Sequence, residues 1–277
     1  MAVPVQAYMA VVPGTDPRVQ AYVQVVSGVP ANPTLAEARA TFLKQVLAIA
    51  GDIRIFLLPN PTDTTTTIDE SPYSRVITYD SSIAGRLTTM GQGIVVAYNG
   101  TSNSGSTPDT GNESFGNGVT DQPFSVAVLA NVADTAANRV FTTKTTEYQF
   151  DIHSGDQMFL GLQDLSAVAF SFCTSNSAIP MGSPHLFCAT YDGRGGAAAA
   201  SGILLYQDGV LLASGVSNDP TYVAMENTAG VQDLFVSAGA DWLTSAAGFL
   251  IVWGGVLSAS QFLSLKAAAN TYYGLTL

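Results

Sequence analysis

The chain has 277 residues, room for one large β domain and an extra segment, with a formal net charge of −11, 11% charged residues and 47% hydrophobic ones. Lysine is confined to Lys44, Lys144 and Lys266; with no cationic cluster to displace phosphate counterions, composition argues against direct nucleic-acid binding and against anionic membranes. Charge this far below the ~25% usual in soluble domains points to a surface covered by neighbours or built from neutral Ser, Thr, Asn and Gly.

Val3–Val12 and Val19–Val26 predict two short strands separated by the Pro13–Pro17 turn. The N-terminus lacks the basic region of a secretion signal, so the expectation is a chain made in a cytoplasm. Thr34-Leu-Ala-Glu37 is a capping box, and Leu35, Ala38, Phe42 and Ile49 recur at helical spacing until Gly51. Ile53–Leu58 predicts one more strand. Residues 1–60 therefore read as a small α+β anchoring segment. The Pro- and Thr-rich run Pro59–Thr67 marks a linker, placed at residues 61–70, and 71–277 form the main domain.

From Tyr73 onward the signals are β. Arg75–Thr78, Ile94–Tyr98, Phe124–Leu129 and Val140–Thr143 are candidate strands, with Gly100–Gly118 between them as a long surface loop. In Thr146–His153, Tyr148, Phe150 and Ile152 point inward, while Glu147, Gln149, Asp151 and His153 form a wet outer face. Met158–Leu162 and Val168–Cys173 follow, the latter with Val168, Phe170 and Phe172 inward. Leu186–Tyr191, a small-residue loop at Gly193–Ser201, Ile203–Gln207 and Val210–Ala213 come next. Asp208-Gly209 is a hairpin turn, because a type I′ turn needs positive φ at both central residues. Phe249–Trp253 closes the sheet, and Ser260–Tyr272 is a short helix capped from Ser258. Trp242–Leu265 holds no charged residue, but its Gly and Ser content and its split into strand and helix argue against a membrane span.

Several phrases carry a resemblance: Tyr73–Asp80, Asp121-Gln-Pro-Phe-Ser125, Phe141–Lys144, Glu147–Phe150, Leu162-Gln-Asp-Leu-Ser166, His185–Gly193 and Tyr206-Gln-Asp-Gly209. In this order, over about residues 70–277, they resemble laminin-G-like (concanavalin-A-like) jelly-roll domains as found in tailed-bacteriophage virion structural proteins. The resemblance implies a mainly β jelly-roll sandwich behind the small N-terminal α+β segment. It poorly specifies function, since one fold carries many functions.

Chemistry is sparse. The five glutamates, Glu37, Glu70, Glu113, Glu147 and Glu226, show no E-x-D-x-x-E strand pattern. Glu147 and Asp151 share a strand face, but their Cα atoms lie about 13 Å apart, beyond the ~5 to 9.5 Å between carboxyls that glycosidases use. His153 reads as strand-end polarity and His185 as a backbone tether. No enzyme is expected. Asp192, Asp208, Asp219 and Asp241 sit at predicted turns without a calcium-loop spacing, so no cofactor is expected and calcium stays an open alternative. Cys173 and Cys188 read as two buried thiols, a cross-strand disulfide being the alternative. Trp242, Tyr222 and Tyr98 are the candidate glycan contacts.

The function this supports is a virion structural protein, a capsid decoration or head-fibre protein assembled in host cytoplasm. It would dock through residues 1–60 onto the major capsid or other virion proteins as a homo-oligomer such as a trimer. The alternative is a tail-fibre or adhesin module that binds host cell-surface glycans.

Overall fold

The computed structural model describes residues 34–100, 104–133, 137–237 and 241–277. The strands expected at Val3–Val12 and Val19–Val26 lie outside the described residues. In chain order the elements are helix α1 (Leu35–Leu47), strands β1 (Ile53–Leu57), β2 (Thr66–Ile68), β3 (Val76–Tyr79), β4 (Leu87–Met90), β5 (Gly93–Asn99), β6 (Gly105–Thr107), β7 (Phe124–Val132), β8 (Arg139–Lys144), β9 (Tyr148–Ile152), β10 (Met158–Asp164), β11 (Ala169–Ser175) and β12 (Pro184–Tyr191). After a 3-10 turn at Gly196–Gly202 come β13 (Ile203–Gln207), β14 (Val210–Leu211), β15 (Ser214–Ser217), β16 (Gln232–Leu234), β17 (Val236–Ser237), β18 (Asp241–Trp242), β19 (Thr244–Gly254) and helix α2 (Ala259–Tyr273).

Two antiparallel sheets form a β sandwich. The inner sheet runs β14-β13-β12-β7-β19-β5-β4, with β1 also paired to β19. The outer sheet runs β15-β11-β10-β9-β8-β16-β6-β3-β2. The central strands β7 and β19 of the inner sheet are buried on both faces, which is why they read as near-continuous apolar runs. Phe124, Val126 and Val128 of β7 and Leu250 and Val252 of β19 face the outer sheet, where they meet Phe141, Phe150, Leu160 and Leu162. Ala127, Leu129, Phe249, Ile251 and Trp253 face the other way and are covered by Phe42, Val46, Phe262, Leu265, Tyr272 and Tyr273 of the two helices. The molecule thus has three layers: helices, inner sheet, outer sheet.

Both helices start at complete capping boxes, Thr34 with Glu37 and Ser258 with Gln261. The Asp208-Gly209 turn has φ of 52° and 78°, as a type I′ hairpin requires.

Four expectations change. The boundary at 59–67 does not divide two cores: β1 pairs with β19 from Ile53–Trp253 to Leu57–Leu250, and α1 packs on the same sheet as α2. Phe42 and Val46 of α1 are buried against this sheet, and β19 offers a free edge beyond its short pairing with β5. The supposed linker supplies β2, whose Thr67 pairs with Ile77. The loop at 100–118 contains β6 and the buried Glu113, Ser114 and Phe115. The two buried thiols stand as expected: Cys173 lies between the sheets and Cys188 on the helix side of the inner sheet, both free, with a sheet separating them.

The fourth change is functional. On β11 it is Ala169, Ser171 and Cys173 that face the core. Val168 is 86% exposed, Phe170 is 43% exposed and Phe172 is half-buried, all turned outward. A one-residue choice of face inverts a whole strand, and here small residues fill the narrow space against the inner sheet.

Candidate functional site

The outer face of the outer sheet collects the side chains that the core rejects. Strand register sets them in a row: Ser217 opposite Phe172, Phe172 opposite Gly161, Gly161 opposite Gln149, Gln149 opposite Thr143, Thr143 opposite Asp233 and Asp233 opposite Ser106. The neighbouring row puts Val140, Asp151, Phe159 and Thr174 side by side.

The aromatic part is ordered by stacking. The His153 ring lies 3.9 Å from that of Phe159 at 21°. Phe159 in turn lies 5.9 Å from Phe170 at 24° and 5.3 Å from Phe172. Phe159 is sandwiched and buried, so Phe170 ends the stack and presents a ring to solvent. Gly161 makes the stack possible: a Cβ there would meet Phe170 Cζ at 2.5 Å and Phe159 Cε1 at 2.7 Å. Any other residue would push those rings apart.

Polar groups share this face with the rings. The Gln163 side-chain amide, opposite Phe170, makes no hydrogen bond to the described residues. The Asp233 carboxylate likewise has no hydrogen bond or ion pair among them, and burial alone pushes its carboxyl up. Gln149 donates to Asp151, and His153 Nε2 lies 3.3 Å from Asp151 Oδ1. Asp151 is fully buried and His153 more than a third exposed. The wet strand face expected over Glu147–His153 is therefore only partly wet.

Glu147 is the clearest departure. It is fully buried, and Ser114 Oγ and the Thr228 amide and hydroxyl each donate to its Oε1 at 3.0 Å. Burial pushes its carboxyl up to about 7, against those bonds and the Lys144 ammonium 4.0 Å away. It belongs to a set of acids that fasten residues 218–231, which contain no helix or strand. Asp121 accepts from Tyr191 Oη, Tyr222 Oη and the Met225 amide; burial pushes its carboxyl up. Asp164 accepts from the amides of Ala167, Val223 and Ala224 and from Ser166 Oγ. Burial opposes its ionisation, but those four bonds prevail and hold its carboxyl below the usual range.

These anchors relocate the sequence-predicted contacts. Tyr222 is 2% exposed with its hydroxyl on Asp121, and Tyr98 is 5% exposed with its ring against Phe235. Neither can stack on a ligand. The backbone of Trp242 pairs with Val236 in the small β17–β18 ribbon. His185 bonds not to backbone but to the Asp208 carboxylate and Ser183 Oγ. Asp192 pairs with Arg194, and Asp219 accepts from Thr221 and the Phe170 amide. Among the described residues no three His, Cys, Asp or Glu gather as a metal site would require. The clefts beside the α1–α2 contact are lined by Ala, Gln, Ser and Thr with Leu35, Phe42, Ile49 and Tyr272, and hold no acid or base besides that tyrosine. Sequence reasoning missed Phe170 because alternating aromatics read as core. The available signal was the complementary triplet Ala169, Ser171 and Cys173, small enough to face a tightly packed second sheet.

The sandwich belongs to a broad structural class of jelly-roll domains. No protein-family profile matches the chain, and no curated protein matches it. Among solved structures it is similar to domain 4 of AbnA, a GH43 extracellular arabinanase from Geobacillus stearothermophilus, in complex with arabinotriose; the TM-score is 0.54 at 17% identity, covering 78% of this chain and 98% of that one. It is also similar to the botulinum neurotoxin serotype D ligand binding domain in complex with N-acetylneuraminic acid, with TM-score 0.57, 11% identity, and 84% and 56% of the two chains covered. The binding domain of Paraclostridial Mosquitocidal Protein 1 gives 0.59 at 8% identity, covering 79% and 52%. The match thus spans about half the length of the toxin chains. Identities this low establish the fold and nothing further.

Proposed function

We propose that the protein is a glycan-binding β-sandwich module whose ligand rests on the outer face of the outer sheet at Phe170. The observation that carries this reading is the outward turn of Phe170 and Phe172, backed by Phe159 over Gly161. An exposed ring offers a flat apolar surface to the C–H face of a sugar; the Gln163 side-chain amide beside it, and the Asp233 carboxylate four strands along the same face, have hydrogen-bonding capacity to spare for hydroxyls. Two structural neighbours were crystallised with sugars, arabinotriose and N-acetylneuraminic acid, which supports the same reading. A surface of this kind binds rather than turns over. The experiment is titration of an oligosaccharide panel against the full chain and its F170A and F172A variants. Each variant loses roughly tenfold in affinity, the worth of one good ring contact. A panel in which binding persists undiminished in both variants refutes the site.

A second reading keeps the virion role: a phage structural protein that works by docking against other virion proteins or further copies of itself. The exposed Ile68 and Val76, paired at the β2–β3 edge, support it together with the low charge. Light scattering on the purified chain tests its self-association; a single-chain mass at all concentrations refutes that part.

A further inference from the structure

The two sugars that accompany the structural neighbours differ in charge, so the charges on the outer face of this protein bear on which kind a site there would take. Carboxylates border the stack and continue along the same face. Asp219 Oδ2 accepts from the Phe170 amide, Glu226 Oε1 accepts from the Ser166 amide at the adjoining β10–β11 turn, and Asp151 and Asp233 stand in the two central rows. The cations are elsewhere. Lys44 and Lys266 lie on the helix layer, Arg54 binds Asp52, and Arg194 pairs with Asp192. Arg86 lies beside β4 over Tyr98. The cations of the outer sheet are enclosed: Arg139 is fully buried on Asp156, Lys144 is fully buried on Asp109, and Arg75 is buried on Asp69 and Glu113. Among the described residues, then, no exposed lysine or arginine stands on this face. Its one candidate donor of positive charge, His153, is committed to Asp151 and stacked on Phe159.

From these placements we infer that the ligand of this site is a neutral oligosaccharide, and that sialylated or uronic-acid glycans are rejected. The inference rests on the glycan-binding reading above and deepens it. A carboxylate accepts hydrogen bonds and does not donate them. Asp233 and Asp219 can therefore receive sugar hydroxyls, whereas the carboxylate of an acidic sugar would face like charge with no guanidinium or ammonium to meet it. Asp233 is the sharper of the two, because it is half-buried, it has no partner among the described residues, and it stands in the same row as Gln149 and Phe172. A carboxylate in that condition awaits a donor. The row itself crosses the strands. From Phe172 to Asp233 it spans four strand spacings, on the order of 20 Å, so the favoured ligand is a chain of several sugars laid across the sheet rather than a single ring.

The test uses the full chain and a fixed set of probes: arabinotriose, xylotriose, cellotriose, chitotriose and lactose as neutral sugars, and sialyllactose and trigalacturonate as acidic ones. Binding is read by chemical-shift perturbation and calorimetry, with F170A as the site control and Q163K as a variant that adds a cation beside Phe170. The expected result is binding of a neutral probe that F170A weakens. The acidic probes bind wild type roughly tenfold or more weakly, the effect of two or three carboxylates within several ångströms, and Q163K narrows that gap. Acidic probes that bind as tightly as neutral ones, with the affinity still lost in F170A, overturn the charge inference and leave the glycan-binding reading standing. If no probe of either kind binds, the glycan-binding reading falls and this inference with it.

Discussion

Replacing Gly161 with alanine isolates the aromatic stack from the rest of the sandwich. In an ordinary strand such a change is neutral or mildly favourable, because alanine restricts the unfolded chain and packs better. Gly161 has none of the positive φ that would make alanine strained. The whole effect must come from space. The new methyl carbon would sit 2.5 Å from Phe170 Cζ and 2.7 Å from Phe159 Cε1, closer than such contacts tolerate. Phe170 can swing outward because it is exposed. Phe159 cannot, because His153 covers its other side. Overpacking of this kind costs about 1–3 kcal/mol, and the tilted Phe170 ring no longer presents a flat surface to a sugar. The expected outcome is a stability loss in that range by urea denaturation and roughly a tenfold loss of glycan affinity by calorimetry. F170A should not add to the affinity loss in the double variant, since both changes remove one platform. An alanine variant as stable as wild type and equally able to bind would refute the claim that the rings are seated by this glycine.

Three further outcomes follow from other parts of the molecule. The Glu147 carboxyl has a folded-state value of about 7 against 4.5 ordinarily; the folded protein therefore holds a proton that the unfolded chain releases, and stability should fall as pH rises from about 4.5 to about 7 and level off above. Subtracting the urea midpoints of E147Q from those of wild type at each pH should reveal that fall, and a difference rising with pH would contradict the burial argument. Ser258→Ala removes the hydroxyl half of the α2 capping box and should cost about 1 kcal/mol in chemical denaturation, the usual worth of an N-cap. Unfolding without reductant should expose both Cys173 and Cys188 to alkylation, because a β-sheet separates them; a mass lacking both adducts would show a disulfide.

The fold was legible where a physical demand falls on few residues. Both capping boxes, the Asp208-Gly209 turn and the two-sided apolar runs of β7 and β19 each admit one solution. Legibility failed where the deciding partner is remote in sequence. The pairing of β1 with β19 joins residues some two hundred positions apart, and no local pattern announces it; a proline- and threonine-rich stretch looked like a linker because β2 is short and two of its three residues face water. Tyr222 and Tyr98 looked available because a tyrosine in a polar neighbourhood carries no mark of its burial. Asp121, which buries Tyr222, lies 101 residues away.

The candidate site failed for a more instructive reason. Strand β11 alternates two aromatic rings with Ala169, Ser171 and Cys173, and the hydrophobic effect alone assigns the rings to the core. The assignment reverses because β11 packs against β13 and the 3-10 turn, whose Leu205, Ala199 and Ala200 already occupy the shared core, and close-packed interiors do not stretch to admit more. Phe170 and Phe172 are then left outside, at a cost the fold could remove by a polar substitution at either position. Nothing in the sandwich requires phenylalanine there, and the stack over Gly161 spends a glycine in mid-strand to hold the rings in order. Features that stability does not demand, kept together and aimed outward, are best accounted for by a ligand. The acidic surroundings then decide which kind: a face that can accept hydrogen bonds and offers no exposed lysine or arginine among the described residues suits sugar hydroxyls and repels sugar acids.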